Sequence, residues 1–198
     1  MTERVDIELA PSRSGGGFKE IISNNPVRGY TNNQLNDWCQ RKGVEGFQGV
    51  FPSNQVPRHL YRPDNACFIL NHSPSTSSTN GTHWIACRVQ GSHCNWFDSY
   101  GLPPDAKLED ELMGPQDGDP HFDEWLAQMG VETVDHNPID LQSVTSEVCG
   151  LYACWFSQNG LPKDPETGKS RPHWRWVGRN RKLNDHMIQG LVRINSNL

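Results

Sequence analysis

The chain has 198 residues, of which 34% are hydrophobic, and its formal net charge at pH 7 is −5. This length suits a single domain that buries a core, to which seven tryptophans contribute large apolar side chains. The acidic balance excludes a general electrostatic attraction to nucleic acid. No apolar run approaches the roughly 20 residues that cross a bilayer, so we expect no membrane partner.

The N-terminal region differs from the rest of the chain in composition. Residues 1–17 are polar and end in three glycines, which predicts a disordered leader before a single domain at residues 18–198. The leader has no apolar segment typical of a secretory signal, and the six cysteines form no CxxC pair. We therefore expect an intracellular, reducing compartment.

Hydrophobic periodicity and turn residues predict the elements in chain order. A helical pattern begins at Thr31, where Thr31, Asn32 and Asn33 are candidate caps, and continues through Leu35, Trp38 and Cys39. Residues 47–52 are bounded by turn signals and are expected to form a loop. After them we predict strands at 66–70, 84–89, 93–98 and 131–136, a short helix at 122–129, a buried helix at 149–158 and an amphipathic helix at 184–194. The last helix has an apolar stripe of Met187, Ile188, Leu191 and Val192.

This order of elements predicts an α+β fold with a single domain. We expect a central, mostly antiparallel sheet packed against the buried helix, which carries Cys149 at its N-terminus.

Cys149 stands at the junction between a loop of small residues and the predicted buried helix. A thiol at a helix N-terminus feels the positive end of the helix dipole and the free N–H groups, and both favour the thiolate. Ser146 is a candidate cap for this helix, and Gly150, which has no side chain, would let a substrate backbone approach. Cys154, five residues further on, fits a structural cysteine of the core instead.

A thiol nucleophile needs a base, and His83 stands directly before a predicted strand. If Gln90 and Gly91 form a two-residue turn, the paired residues of the hairpin sum to 181, and His83 faces Asp98. Cross-strand partners have Cβ atoms about 4.5–5.5 Å apart, so the imidazole and the carboxylate can form a hydrogen bond. The hairpin therefore predicts a base with an orienting acid.

Gln142 lies seven residues before Cys149. Its side-chain amide can donate a hydrogen bond to the oxyanion that develops during acyl transfer, together with the backbone N–H of Cys149. We therefore predict Gln142 as the fourth member of the candidate site.

Three motifs in this order resemble those of the adenovirus protease (adenain) family and its relatives in viruses and virus-like transposons. They are Gly81–Trp84, then Trp96–Gly101, then Gln142 followed by Cys149–Tyr152. The SUMO-protease family shares the order of His, acidic residue, Gln and Cys. The resemblance extends over roughly residues 26–195, although the motifs occupy only 81–101 and 142–156.

The resemblance implies an adenain-like fold and a cysteine endopeptidase without a metal or another cofactor. It assigns four catalytic residues: His83 as general base, Asp98 as its orienter, Cys149 as nucleophile and Gln142 as oxyanion donor. Trp84, next to His83, and Gly150, next to Cys149, are our candidate substrate contacts. Enzymes of this family mature viral precursors, often beside glycine, so precursor proteins are the expected substrates. The expected locations are the host nucleus, the host cytoplasm and the virion, and we expect a monomer.

Two features differ from the adenovirus enzymes. Their acid is typically Glu, whereas this chain has Asp98, which accepts a hydrogen bond from imidazole equally well. Those enzymes are activated by a peptide that is disulfide-linked to a cysteine between the acid and the nucleophile, and this chain has no cysteine between residues 99 and 148. An activating peptide, if there is one, would bind non-covalently, for example as an added strand at a sheet edge.

Other functions remain open. The main alternative is an enzyme of the same clan that removes ubiquitin-like or SUMO-like tags. An acyltransferase with the same triad and an inactive relative that serves as an interaction protein are two more. A zinc-binding module would use His83, Cys87, His93 and Cys94, but these lack the usual spacing of zinc ligands, so we expect no metal site.

Two segments are strongly charged. Residues 171–182 hold five basic residues among aromatic ones, so Arg175, Arg179, Arg181 and Lys182 are candidate contacts for nucleic acid. We favour a loop whose tryptophans pack on the domain while its arginines stay solvated, which makes nucleic acid the weaker partner candidate. The acidic segment 105–124 is expected to be a solvated loop.

Overall fold

The computed structural model describes residues 29–57, 65–73, 75, 83–106, 121–160 and 180–192. Within these ranges, five strands form one sheet in the order β1-β2-β3-β4-β5. They are β1 (Phe47–Pro52), β2 (Ala66–Asn71), β3 (Trp84–Gln90), β4 (His93–Phe97) and β5 (Thr133–His136). The two central pairings are antiparallel, and the two outer pairings, β1 with β2 and β4 with β5, are parallel. The sheet is therefore mixed, with the predicted antiparallel pairing at its centre.

Helices cover both faces of this sheet. They are α1 (Asn32–Arg41), α2 (Phe122–Gln128), α3 (Cys149–Asn159) and α4 (Arg181–Leu191), with a 3-10 turn at Ser53–Gln55. A larger core joins one face of the sheet to α1, α3 and α4, and a smaller core joins the other face to α2. The predicted α+β fold with a single domain is confirmed. In the part of the chain that the structure describes, no helix is both long enough and apolar enough to cross a bilayer.

The central strand β2 shows why this sheet needs helices on both sides. Its side chains alternate between the two cores: Cys67 and Ile69 enter the larger one, and Phe68 and Leu70 enter the smaller one. A strand that is covered on both faces reads as a continuous apolar run, which is the pattern that the sequence shows here.

The helix α3, which carries Cys149, is the centre of the larger core. It packs against α1, α4, β2 and β3, and residues from Leu151 to Cys154 are all buried. A helix that is apolar all round is stable only when it is covered on every side. Gly160 ends the helix with φ of 68°, a value that glycine adopts without strain. The predicted buried helix is confirmed.

The start of the described chain is partly as predicted. Thr31 caps α1 in a reciprocal capping box with Gln34, so the predicted helix start is confirmed. The predicted loop at Phe47–Pro52 is wrong, because these residues form the edge strand β1. Gly49, with φ of 138°, lies where the register with β2 shifts. Glycine at a bulge and proline at a strand end look like loop signals, but an edge strand accommodates both.

The last helix also differs from its prediction. It begins at Arg181, three residues early, because the side chain of Asn180 caps it by accepting the backbone N–H of Leu183 at 3.2 Å. Ile188 and Val192 are buried as expected, whereas Leu191 is 59% exposed, so only part of the predicted apolar stripe faces the core. The predicted leader at residues 1–17 and most of the acidic segment 105–124 lie outside the described residues.

Candidate active site

The hairpin of β3 and β4 brings His83 and Asp98 together at one end of the sheet. Gln90 pairs with His93, so the two-residue turn is Gly91-Ser92, where Gly91 has φ of 58°. The predicted turn at residues 90–91 is therefore wrong, and paired residues sum to 183 instead of 181. A shift of two positions keeps each side chain on its face of the sheet. His83 and Asp98 therefore still meet, diagonally across the strand ends.

The imidazole of His83 and the carboxylate of Asp98 form a buried hydrogen bond. His83 Nε2 lies 3.0 Å from Asp98 Oδ2, and the two side chains are 0% and 1% exposed. The other carboxylate oxygen accepts the backbone N–H of Tyr100 at 2.6 Å. The side chain of Asn137 accepts the backbone N–H of Asp98 at 2.9 Å and donates to its carbonyl at 2.7 Å. Hydrogen bonds thus hold both the carboxylate and the backbone of Asp98. The predicted hydrogen bond between His83 and Asp98 is present.

Neighbouring negative charge decides the protonation state of His83. Burial lowers the pKa of His83, but the charges of Asp98 and Cys149 raise it more strongly, and the resulting pKa is about 10. Because Nε2 is occupied by Asp98, the other ring nitrogen, Nδ1, is left without a hydrogen-bond partner among the described residues. Nδ1 is therefore the atom through which His83 can exchange a proton with a thiol or a substrate. A protonated imidazole favours the thiolate form of a nearby cysteine.

Cys149 is the first residue of α3 and differs from the other cysteines in exposure. It is 7% exposed, whereas each of the other five is 0% exposed. The residue before it, Val148, makes no side-chain hydrogen bond to the helix, so no side chain caps the N–H groups of the first turn. The N–H of Leu151 donates to the carbonyl of Val148 at 2.9 Å, so the donors left next to the thiol among the described residues are the N–H groups of Cys149 and Gly150. The predicted cap by Ser146 is wrong, since its hydroxyl donates to the carbonyl of Ser143 at 2.9 Å.

Gln142 is 1% exposed, and hydrogen bonds hold both ends of its amide. Oε1 accepts from the hydroxyl of Ser99 at 2.7 Å. Nε2 donates to the carbonyl of Ser146 at 2.7 Å and to the hydroxyl of Tyr100 at 3.3 Å. The second of these bonds is long, and a neutral hydroxyl is a weaker acceptor than an oxyanion. Of the two N–H groups of Gln142, the one that donates to Tyr100 is therefore the more weakly held.

Tyr100 is a site residue that the sequence reasoning did not single out. Its ring stacks on the imidazole of His83 with centroids 4.8 Å apart and an interplanar angle of 29°. Burial raises the pKa of Tyr100, and the charges of Cys149 and Asp98 raise it further, so the phenol stays neutral. The glycine three residues after Asp98 is the sequence signal for a turn here. In the structure, Gly101 has φ of 79° and donates its N–H to the Asp98 carbonyl at 2.9 Å. This turn places the ring of Tyr100, two residues after Asp98, over the imidazole of His83.

Ser99 and Asn137 were also missed. Both are 0% exposed and bond to Gln142 and Asp98, respectively. Ser99 follows the acid within the same turn, so the motif Asp98–Gly101 could have pointed to it. Asn137 stands just after β5, far from the other site residues in sequence, and no local pattern marks it.

The two predicted substrate contacts lie beside Cys149 but are engaged within the chain. Trp84 is 8% exposed, and its indole N–H donates to the carbonyl of Tyr30 at 2.8 Å. A Cβ at Gly150 would lie 3.0 Å from Leu35 Cδ2 and 3.4 Å from Trp84 Cδ1. The missing side chain of Gly150 therefore allows α1 and α3 to pack closely. A contact of these two residues with substrate stays a prediction.

The predicted basic contacts are only partly described. Arg175 and Arg179 lie outside the described residues, while Arg181 and Lys182 open α4. Arg181 forms an ion pair with Asp140, with 2.6 Å between Nη2 and Oδ2. A cavity of about 810 Å³ lies between the start of α4 and the loop at residues 138–143. Arg181 thus neutralises an acid of this chain, and the nucleic-acid contact stays a prediction.

Of the four residues of the zinc alternative, Cys87 and Cys94 interact with each other within the core. In the ranges that the structure describes, no group of three His, Cys, Asp or Glu side chains is arranged to hold a metal ion. His83 is bonded to Asp98, whereas Cys87 and Cys94 are fully buried in the smaller core. All six cysteines are free thiols.

Comparisons with known proteins give low similarities. No family model and no curated protein matches the sequence. Among solved structures, the chain is similar to a protease of ASFV, with 17% identity, a TM-score of 0.48, and coverage of 86% of this chain and 70% of that one. It is similar to the SUMO protease Ulp1 with its catalytic cysteine oxidised to a sulfinic acid, with 15% identity, a TM-score of 0.41, and coverage of 84% and 80%. It is also similar to ChlaDub1 from Chlamydia trachomatis, with 16% identity, a TM-score of 0.29, and coverage of 86% and 83%.

Proposed function

We propose that this chain is a cysteine endopeptidase that cleaves beside glycine in viral or virus-like precursor proteins. The observation that carries the proposal is the buried hydrogen bond of 3.0 Å between His83 and Asp98, together with the interaction of His83 with the thiol of Cys149 at the start of α3. An oriented imidazole beside a helix-start thiol is the arrangement that activates cysteine for acyl transfer. The order of the motifs, which resembles that of the adenain family, supports the same function.

The first half of the reaction uses the ion pair of His83 and Cys149. The thiolate attacks the carbonyl carbon of the scissile bond, and the carbonyl oxygen becomes an oxyanion. The side-chain amide of Gln142 and the backbone N–H of Cys149 donate to this oxygen. As the carbon–nitrogen bond breaks, His83 gives the proton on Nδ1 to the leaving amine. The product of this half is a thioester on Cys149 and a free amine.

The second half of the reaction restores the enzyme. Nδ1 of His83 no longer carries a proton and takes one from a water molecule, whose oxygen attacks the thioester carbon. The new oxyanion is stabilised by the same donors, and the carbon–sulfur bond then breaks. Cys149 leaves as a thiolate beside the protonated His83, and the acyl group leaves as a carboxylic acid. Asp98 keeps the imidazole in one orientation and stabilises its charged form throughout.

Restricted access to the site supports glycine at the cleaved bond. Cys149 is 7% exposed and His83 is 1% exposed, so the reacting atoms lie in a narrow place. A residue without a side chain can bring its backbone closer to such a thiol than any other residue can. Removal of ubiquitin-like tags would meet the same restriction, so the choice between a precursor and a tag depends on what the enzyme recognises beyond the glycine.

The proposal is tested by assaying the purified chain in reductant on two substrates. One is a panel of short peptides with a central glycine, and the other is a ubiquitin-like protein with an extension after its terminal glycines. We expect hydrolysis of the short peptides, a loss of at least about a thousandfold in Cys149→Ala, and retention in Cys154→Ala, whose thiol is in the core.

Three results would speak against this proposal. Cleavage of the folded fusion alone, with the peptides intact, would favour the tag-removing alternative. Turnover by folded Cys149→Ala at the wild-type rate would exclude the proposed nucleophile. Wild-type protein that cleaves neither substrate would contradict an endopeptidase that acts unaided.

A further inference from the structure

Ser99 is bonded to Gln142 through both its side chain and its backbone. Its hydroxyl donates to Oε1 of Gln142 at 2.7 Å. Its carbonyl accepts the backbone N–H groups of Leu141 and Gln142 at 2.8 and 3.1 Å. Ser99 is 0% exposed, so no water competes for these bonds in the folded protein.

The orientation of the Gln142 amide decides whether it can stabilise an oxyanion. Only the NH₂ end can donate, whereas the oxygen end would repel a negative charge. The carbonyl of Ser146, which can only accept, lies 2.7 Å from the nitrogen and so identifies the NH₂ end. The reversed orientation is unfavourable because it would bring two oxygens together at Ser146. The hydroxyl of Ser99 anchors the opposite end of the amide by donating to Oε1, and so fixes the position of the side chain.

We infer that Ser99 is a positioning residue, which holds the NH₂ end of Gln142 toward the reaction. This inference rests on the proposed function, because it concerns the oxyanion donor of that reaction. Ser99 directly follows Asp98, which holds His83, so a single turn of the chain orients both the base and the oxyanion donor. The position of the donor is thereby tied to the position of the base at the end of β4.

Thiolate formation at Cys149 and stabilisation of the oxyanion are two properties of the site that can be measured separately. Alkylation of Cys149 by iodoacetamide needs a thiolate but forms no oxyanion, so it reports on His83 and Asp98 alone. Peptide hydrolysis and the binding of a peptide aldehyde, which forms a tetrahedral adduct with the thiol, need the oxyanion donor as well. Loss of Ser99 should affect the second group of measurements and leave the first unchanged.

The experiment is a double-mutant cycle with Ser99→Ala and Gln142→Ala. Ser99→Ala should lower kcat by about 10- to 100-fold, with KM nearly unchanged, because it disturbs a donor whose removal costs about 10²–10³-fold. Binding of a glycine-terminated peptide aldehyde should weaken by a similar factor. The rate of Cys149 alkylation and its pH dependence should stay within about twofold of wild type. The double variant should be no slower than Gln142→Ala by more than about twofold, because the two residues act as one unit.

Ser157→Ala is the matched control. Ser157 is also a fully buried serine, but it lies on the last turns of α3, and its hydroxyl has no hydrogen-bond partner among the described residues. It should keep wild-type kcat, which separates the effect of Ser99 from the general effect of removing a buried hydroxyl.

Each outcome decides the inference. Wild-type kcat in Ser99→Ala, additive losses in the double variant, or a loss of alkylation equal to the loss of turnover would overturn the role of Ser99 and leave the protease intact. If wild-type protein shows no selective alkylation of Cys149 and no turnover, the proposed function fails, and the role of Ser99 fails with it.

Discussion

The charge on His83 links the stability of the fold to pH. Burial lowers the pKa of His83, but Asp98 and Cys149 raise it from its usual value of 6.5 to about 10. Between these two values the folded protein binds a proton that the unfolded chain does not bind. The stabilisation is therefore fully present below pH 6.5 and is lost as the pH rises through about 10.

We expect the free energy of unfolding to fall as the pH is raised across this interval, by up to about 1.4 kcal/mol per pH unit from this group alone. Urea unfolding at several pH values measures the slope. The comparison is made in the Cys149→Ala background, because the thiol that shares a proton with His83 would otherwise offset the change. In that background, His83→Gln should have a smaller slope than the protein that keeps His83, because the other titrating groups are common to both. An identical slope in the two proteins would show that His83 is not protonated in the folded state.

The residues of the site differ in how well the sequence could predict them. Cys149, His83 and Asp98 belong to residue types with distinctive chemistry, and each stands where a predicted element begins or ends. Ser99 and Asn137 act by hydrogen bonds that serines and asparagines form throughout proteins, so neither residue type marks a site by itself. Their roles depend on the distances that the fold sets.

The start of α3 depends on a glycine that lets α1 approach. A Cβ at Gly150 would lie 3.0 Å from Leu35 Cδ2 and 3.3 Å from Tyr30 Cβ. Moving buried side chains to admit the methyl group costs about 1–3 kcal/mol, and the helix preference of alanine returns roughly 0.5 kcal/mol, so we expect Gly150→Ala to destabilise the fold by about 0.5–2.5 kcal/mol. The displacement occurs next to Cys149, so the rate of thiol alkylation should fall as well.

Gly190→Ala provides the comparison for Gly150→Ala. Gly190 is also within a helix, but, apart from its own stretch of helix, no atom of the described residues lies within 4 Å of the position that its Cβ would take. This substitution should stabilise the fold by about 0.5 kcal/mol, since alanine favours helices over glycine. Denaturant unfolding of both variants measures the difference. Equal effects of the two substitutions would mean that α1 and α3 are not in close contact.

The helix α4 holds the loop that carries Gln142. Asp185, which is 6% exposed, accepts the backbone N–H of Ser143 at 3.1 Å and the hydroxyl of Tyr152 at 3.2 Å. We expect Asp185→Ala to cost about 1–3 kcal/mol of stability, because the N–H of Ser143 loses its buried acceptor. It should also lower kcat through the position of Gln142.

Asp185→Asn tests the cause of this effect. Its amide oxygen can still accept one of the two hydrogen bonds, so the loss of stability and of kcat should be smaller than in Asp185→Ala. Thermal unfolding and peptide hydrolysis measure the two quantities. If asparagine is as damaging as alanine, then the negative charge matters and not the hydrogen bond.

Element boundaries were easier to predict than the pairing between elements. The apolar runs predicted β2, β3 and β4 within about two residues, because a short strand that is buried on both faces requires apolar side chains at nearly every position. The exact turn of the hairpin and the edge strand β1 were not predicted. The turn could close at residues 90–91 or 91–92 with similar sequence signals, and the glycine and proline in β1 are equally typical of a loop.

On the scale of the whole molecule, the sheet joins two distant parts of the sequence into one site. The hairpin supplies His83 and Asp98, and the second half of the chain supplies Gln142 and Cys149. The larger core lies beneath them and fixes α3 against β3. The hairpin predicted that His83 and Asp98 meet, whereas the buried hydrogen bonds around Gln142 depend on the complete fold.

The proposed function requires one reactive thiol among six. Cys149 is 7% exposed and lies beside His83, whereas the other five cysteines are 0% exposed. The direct measurement is the rate at which iodoacetamide labels each cysteine of the native protein, followed by peptide mapping. We predict selective labelling of Cys149, slowed about tenfold or more in His83→Ala, with the other five labelled only after unfolding. Labelling of Cys149 that is no faster than that of the others, or that is unchanged in His83→Ala, would contradict the central claim.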